Sequence, residues 1–338
     1  MITYPNLRSR PAAFQSMTGM SVGDFDHLYH EFAPAHERRL QTLSTTKRDK
    51  RPRKRQAGAG RRHSHDLRDR VLLTLFWLRV YTTYEVLGFF FSLNKTNVED
   101  NLHDILATLE TMTSFNCERP SKERQKLRSP AQVMEAFPDV ALVIDAKEQP
   151  IQRPRSSQDD TSELRGAQRT SPHDPQKPYY SGKKKAHTLK NQVAVRPDGL
   201  IEALSGSVPG GATHDITLLR QSQLLECLDA AAGEAAMTDK GYVGIQKDYP
   251  DLCIYQPYKA GRGHPLSLEQ KAYNRHLSSY RIVVEHVMAQ LSRFQVLSQV
   301  FRHARAGHGQ IVRVVAGLVN RRIAVQPLKT STTAAGAA

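Results

Sequence analysis

DVALVIDAKEQPIQRP, residues 139–154, opens with an unbroken apolar run from Val140 to Ile144 and changes character at Asp145. A short apolar run bounded by polar and proline residues is the pattern of a strand buried on both faces. Two further strand patterns follow a polar insertion: AHTLKNQVAV, residues 186–195, and LIEALSG from Leu200, joined by the turn Pro197-Asp198-Gly199. These three strands are expected to run antiparallel. The sequence then predicts a helix over about 216–228, a fourth strand in EAAMTD, a glycine turn, another strand in CIYQPY, and a long helix opened by SLEQ. Ser267 and Gln270 fit a capping box at its start. Three meandering strands, helix, strand, strand, helix is an α/β layered, ribonuclease H-like arrangement, expected here over residues 131–326.

The segments before it read as helical. Asp24 to Leu43 places Phe25, Leu28, Tyr29 and Phe32 at helical spacing. Lys47 to Arg62, KRDKRPRKRQAGAGRR, holds nine basic residues in sixteen and one acid, with Gly and Pro to prevent regular structure. A flexible cationic linker is expected at 47–62, separating a helical segment at 1–46 from a domain at 63–120, and Arg53, Lys54 and Arg55 are its candidate phosphate contacts. Leu67 to Tyr81 forms an amphipathic helix, followed by a short helix from Tyr84 to Phe91, a turn at Ser92 to Asn94 and a longer helix from Thr96 to Leu109. That rhythm is an all-α helix-turn-helix. Val86, Leu87, Phe90, Leu93, Val98, Leu102, Ile105, Leu106 and Leu109 would form its core, leaving Lys95, Thr96, Asn97 and Asn101 near the exposed start of the second helix, where such modules meet bases. Glu99, Asp100 and Asp104 on that helix are unwelcome beside phosphates. A disordered tail is expected over 327–338.

Composition narrows the partner. Lys and Arg outnumber Asp and Glu by 48 to 33 over 338 residues, a net charge of +15 and a pI near 9.8, which points to a polyanion such as nucleic acid or an acidic membrane surface. The longest mostly apolar run, Val71 to Leu78, is far shorter than the ~20 residues of a spanning helix, and MITYPNLRSRPAAF carries no apolar signal core. Cys117, Cys227 and Cys253 are odd in number and dispersed, so a cytoplasmic location is the expectation.

In this arrangement three acids cease to look scattered. Asp145 ends the first strand, Asp239 ends the fourth, and Glu285 sits on the final helix among Val283, Val284, Val287 and Leu291. The tips of two neighbouring strands and a helix packed across them can bring three carboxylates to one point, and hard divalent cations take such oxygen ligands. Asp215, just before an apolar helical stretch, is a natural N-cap. His187, His214 and His286 are poor candidates for that ion, since Mg²⁺ prefers oxygen.

The run IDAKEQPIQRP, YYSGKKKAHTLKNQVAV, PGGATHDITLL, MTDKGYVGIQ, EQKAYNRHLSSYRIVVEHVMAQLSRF and VAGLVNRR resembles, in order and spacing, the DDE transposases of bacterial insertion sequences related to the Harbinger transposases. The resemblance covers roughly 131–323. It implies that Asp145, Asp239 and Glu285 are the catalytic triad and the metal ligands, holding two Mg²⁺ ions about 3.5–4 Å apart, with Mn²⁺ able to substitute. Asp145 would bridge both ions. Asp215 competes for the second place and is ranked, with His214 and Arg281, as accessory. Lys183, Lys184, Lys185 and Arg293 would hold DNA backbone. The implied partner is double-stranded DNA, both transposon ends and target, bound by a homo-oligomer without any membrane. The reaction implied is strand cleavage at terminal inverted repeats by water, then transfer of the freed 3′-OH to target DNA. Two features depart from the family pattern. Asp145-Ala146-Lys147-Glu148 stands where Asp-Gly-Thr-Glu is usual, and Ser292 followed by Arg293 stands where Lys is common. Ala146 requires a local backbone that avoids positive φ. The alternatives are a decayed or domesticated nuclease that binds DNA without cutting and a helix-turn-helix regulator.

Overall fold

The structure is a computed structural model that describes residues 1–48, 63–112, 137, 139–154 and 176–325. Arg53, Lys54 and Arg55, most of the 47–62 linker, most of the 154–179 insertion and the 327–338 tail lie outside the described residues. The chain forms two compact units. One comprises 1–116, 292–299 and 310–318, and the other 117–291, 300–309 and 319–338.

The first unit is helical: α1 (Tyr4–Arg8), α2 (Pro11–Thr18), α3 (Val22–Arg48), α4 (Leu67–Val80), α5 (Tyr84–Phe91) and α6 (Lys95–Thr111). The first two were not anticipated. α4 is not amphipathic as the sequence pattern implied: every residue from Asp69 to Leu78 is buried. A helix buried on all sides belongs at the centre of a bundle, and α1, α2, α3, α5 and α6 all pack on this one. Asp66, Thr83 and Asn94 cap α4, α5 and α6 by accepting the Asp69, Val86 and Asn97 N–H groups. Ser92, in the left-handed conformation, turns α5 into α6, as the spacing required.

Four expectations in this unit are corrected. Val86 and Phe90 are exposed at 43% and 37% and stay outside the core, although the Phe90 ring meets Phe76 of α4; of short α5 only Leu87, Gly88 and Phe91 are buried. Asn101 is buried rather than exposed: its carbonyl accepts from Arg70 Nε and its amide donates 2.6 Å to the Asn97 carbonyl. Asp104 is no obstacle on an outer face, since it pairs with Arg70 and, at 2.7 Å, with Arg39. Those two guanidiniums hold its carboxyl below the usual range against the effect of burial. Lys95, Thr96 and Asn97 do stand exposed, Lys95 3.2 Å from Glu85.

The second unit contains β1 (Val140–Pro150), β2 (Tyr180–Ser181), β3 (Ala186–Val195), β4 (Ile201–Leu204), β5 (Val208–Pro209), α7 (Asp215–Ser222), β6 (Ala235–Met237), β7 (Cys253–Tyr255) and most of α8 (Leu268–Ser292). Its curled sheet has β1 at the centre. β1 pairs antiparallel with β3, whose outer edge is covered in turn by β2, β5 and β4. On the other side β1 pairs parallel with β6, and β6 with β7. Ser267 and Gln270 form the reciprocal capping box of α8, each bond 3.1 Å. α8 is not the final helix, because α9 (His308–Val325) follows it.

β1 does not end at Asp145. Its pairing with β3 continues to Pro150↔Thr188, seven residues beyond the last β6 pair, Val143↔Met237. The polar residues in that extension have partners. Glu148 lies opposite Lys190, and the buried Gln149 meets His308 Nε2 at 2.9 Å, whose Nδ1 is 2.7 Å from Ser207 Oγ. Burial lowers the His308 pKa from 6.5 to about 4. The unfolded chain thus takes up a proton near pH 6.5 that the folded chain refuses until about pH 4, and stability present above that window is lost as pH falls through it. Urea unfolding across the window is expected to show a loss on the order of 3 kcal/mol from this residue. His308→Gln should flatten that part of the pH dependence; an unchanged slope would assign it to other groups.

Candidate active site

Parallel strands lie about 4.8 Å apart, and the β1–β6 register fixes which side chains are neighbours. Val143 pairs with Met237, and Asp145 and Asp239 each stand two residues beyond that last pair, so the register carried on sets them at one level. The one-residue spacing between successive faces sorts the rest. Ile144, Ala146 and Glu148 share a face with their partners Ala194, Gln192 and Lys190. This face holds the core of Leu142, Ile144, Ala194, Leu219, Leu224, Tyr242 and Ile245. Asp145, paired with Val193, points to the opposite face, and there Arg281 Nη2 of α8 approaches its Oδ2 at 3.3 Å.

The electrostatics follow from this crowding. Burial raises the pKa of Asp145, and the charges of Asp239 and Asp215 push it the same way. Arg281 and the Ala146 N–H, 2.8 Å from Oδ1, oppose the shift without cancelling it. Ala146 takes ordinary strand conformation in β1 and is not among the positive-φ residues, so its lack of glycine freedom causes no strain. Asp239 follows β6 and caps the turn Lys240–Tyr242, its Oδ1 accepting the Gly241 N–H at 2.7 Å. It is therefore both the strand-end acid and a turn residue.

Asp215 differs from the expectation. His214, exposed and without a side-chain cap, is the N-cap of α7, and Asp215 is the first helical residue. Its side chain turns inward because a cation is there: Lys190 Nζ lies 2.8 Å from Oδ1. A Cβ built on Gly241 would come within 2.9 Å of Asp215 Oδ2 and 3.0 Å of Asp239 Oδ1. The two carboxylates thus converge over one Cα. The hydroxyl of buried Tyr242 accepts from Gln192 Nε2 at 3.1 Å; burial raises its pKa, with Asp215, Asp145 and Asp239 adding to the rise.

Glu285 is the outlier of the expected triad. It lies on α8 one turn past Arg281, is exposed, and forms no ion pair with Arg281, which is turned to Asp145 instead. Among the described residues no three His, Cys, Asp or Glu side chains stand close enough together to hold a metal ion. Asp215 and Asp239 converge at Gly241, Asp145 feels the charge of both and pairs with Arg281, and Glu285 remains at the margin. Lys183, Lys184 and Lys185 are exposed at the turn between β2 and β3, with Lys185 at φ 52. Arg293 is exposed. Sequence reasoning missed Lys190, Gln192 and Gly241. The signal was Lys190-Asn191-Gln192, three polar residues inside a strand that is paired on both edges and must supply them with partners.

Residues 144–320, more than half of the chain, match the family described as DDE superfamily endonuclease. The chain is also 29% identical over 317 residues to the probable transposase for insertion sequence element IS702 of Microchaete diplosiphon, covering 93% of this chain and 95% of that protein. No solved structure matches significantly. No described helix is long and apolar enough to cross a membrane.

Two glycines of this region should respond to alanine in opposite ways. A Cβ at Gly211 meets Tyr180 backbone at 2.2 Å, whereas at Gly241 its two close contacts, Asp215 Oδ2 at 2.9 Å and Asp239 Oδ1 at 3.0 Å, are carboxylate ends that need give only slightly. Gly211→Ala is expected to cost about 1–3 kcal/mol in urea unfolding. Gly241→Ala should cost less than about 1 kcal/mol while shifting the side-chain carboxyl resonances of Asp215 and Asp239. Unshifted resonances would mean that the two acids do not converge there.

Proposed function

The chain belongs to the DDE superfamily endonucleases, and from that premise we propose that it is the transposase of a bacterial insertion sequence, cutting DNA at the element's terminal inverted repeats and joining the freed 3′-OH ends to target DNA. The observation that carries this reading is the level placement of Asp145 and Asp239 at the end of the β6 pairing. The sheet supports it. An antiparallel β4–β3–β1 half continued by parallel β6 and β7 is consistent with the ribonuclease H-like arrangement proposed for it, with Asp145 on β1, Asp239 just past β6 and Glu285 on α8 as its acids.

The donor set suits a hard divalent cation. All the candidate ligands offer carboxylate oxygen, and Asp145, desolvated beside two like charges, is a group whose ionised form an added cation would favour. We assign Asp145 and Asp239 as ligands, Glu285 as the third, and Mg²⁺ as the ion. Bound there, such ions lower the barrier to in-line displacement at phosphorus by activating the attacking oxygen and stabilising the leaving one. The chain's own part is positional. β1 and β6 fix two carboxylates, Arg281 supplies positive charge on Asp145, and exposed Lys183, Lys184, Lys185 and Arg293 attract the DNA backbone. In the helical unit, α5, the Ser92 turn and α6 are proposed as the helix-turn-helix that binds the element's ends, with Lys95, Thr96 and Asn97 outermost. Arg53, Lys54 and Arg55 would add sequence-independent phosphate contacts, and the working form would be a homo-oligomer on DNA.

The test is cleavage of a labelled terminal-repeat duplex with Mg²⁺, alongside binding of the same duplex. Asp145→Asn, Asp239→Asn and Glu285→Gln are each expected to lower cleavage by at least about a hundredfold and leave binding nearly intact, while Asp215→Asn retains measurable cleavage. Normal cleavage by Glu285→Gln would remove it from the triad. Loss in Asp215→Asn with survival in Asp239→Asn would exchange those two roles.

A further inference from the structure

Lys190 is a lysine inside a buried strand, with 7% of its side chain exposed. Its position on β3 puts it opposite Glu148 of β1, and its ammonium has three oxygen neighbours: Asp215 Oδ1 at 2.8 Å, Glu148 Oε1 at 3.5 Å and the Thr213 carbonyl, to which it donates at 2.8 Å. Two residues along the same face of β3, Gln192 donates 2.6 Å to the Asp215 carbonyl. The start of α7 is therefore strapped to β3 through both its backbone and its one acid.

Asp215 presents its other oxygen to the space over Gly241 that Asp239 Oδ1 also enters. With no cation of its own, Asp215 would be a full carboxylate beside Asp239, near enough for Asp145 to feel its charge and able to compete for an ion bound there. A 2.8 Å ion pair with a buried ammonium changes that, because a positive charge held against one carboxylate oxygen disfavours a metal ion on the same group. We infer that Lys190 is a positioning residue, a tethered ammonium that withdraws Asp215 from the metal ligands and leaves Asp239 as the partner of Asp145. Lys190 touches neither metal nor DNA in this role and acts through Asp215 alone. The inference rests on the reading of Asp145 and Asp239 as metal ligands.

The experiment is Mn²⁺ binding to the full chain without DNA, followed by the electron paramagnetic resonance of the free ion. Asp145→Asn and Asp239→Asn are each expected to weaken binding by at least about tenfold, and Asp215→Asn to leave it within about threefold of the native chain. Lys190→Met, which removes the charge at similar volume, should tighten Mn²⁺ binding at least about threefold by releasing Asp215. Adding Asp215→Asn to that variant should abolish the gain. A merely structural lysine would not make the effect of Asp215→Asn depend on residue 190. The inference is overturned if Asp215→Asn alone weakens binding as much as Asp239→Asn, or if Lys190→Met folds and binds no more tightly. Should Lys190→Met not fold, the comparison of Asp215→Asn with Asp239→Asn in the native chain still decides. Unchanged affinity in both Asp145→Asn and Asp239→Asn would instead overturn the metal-site reading, and this inference with it.

Discussion

Carboxylates that converge in a partly desolvated place repel one another, and the centre of the second unit is arranged around that repulsion. Asp145, Asp239 and Asp215 each find a different answer to it. Asp145 has Arg281 at 3.3 Å and a backbone N–H. Asp239 ties one oxygen to the Gly241 N–H. Asp215 has Lys190. The compensation for Asp145 is incomplete, since its proton affinity stays raised. Incomplete compensation of a desolvated acid is a common mark of a site where stability is given up for chemistry. Here the imbalance is negative, which is the sign that favours binding a cation.

The same site shows what a sequence discloses. The boundaries of β3 at 186 and 195, the Ser267–Gln270 capping box and the α5, Ser92, α6 rhythm coincide with the expectation, because each follows from local rules of periodicity, capping and turn conformation. The level placement of Asp145 and Asp239 was legible for a related reason: an acid ending an apolar run marks where a strand leaves the core. The length of β1 was not legible. Its second half is polar, and it remains a strand only because β3, more than forty residues later in sequence, pairs with it and supplies Lys190 and Thr188 to Glu148. Asp215 was misplaced for a similar reason. Local rules favour an Asp before an apolar helix as a cap, but the pull of a buried ammonium from another element outweighs a single capping bond. α9 was overlooked because the motif Val315–Arg322 was read for resemblance and not for helical period.

In the helical unit, charge plays the opposite part. The acids that looked hostile to DNA on α6 include Asp104, which is turned inward to Arg70, Arg39 and, at 3.6 Å, His36. Asn101 lies in the same layer. Polar residues that a helical wheel assigns to the outer face thus bind α3, α4 and α6 to one another. The exposed start of α6 is left with Lys95, Thr96 and Asn97. Fixing the helix by buried polar pairs restricts it to one rotation about its axis, since an apolar contact tolerates sliding and a charge-assisted hydrogen bond does not.

A residue gained or lost inside β1 or β6 would have a different effect from the same change in a loop. Side chains alternate faces along a strand, so one added codon between Val140 and Asp145, or between Ala235 and Asp239, sends an acid to the wrong face or the wrong level. An added codon among Ala230, Ala231, Ala232 and Gly233, exposed in the turn ahead of β6, only lengthens a surface path. Descendants of such a gene can therefore drift in length along their loops for many generations. In any lineage whose protein still cuts DNA, length changes should be missing from these two short strands.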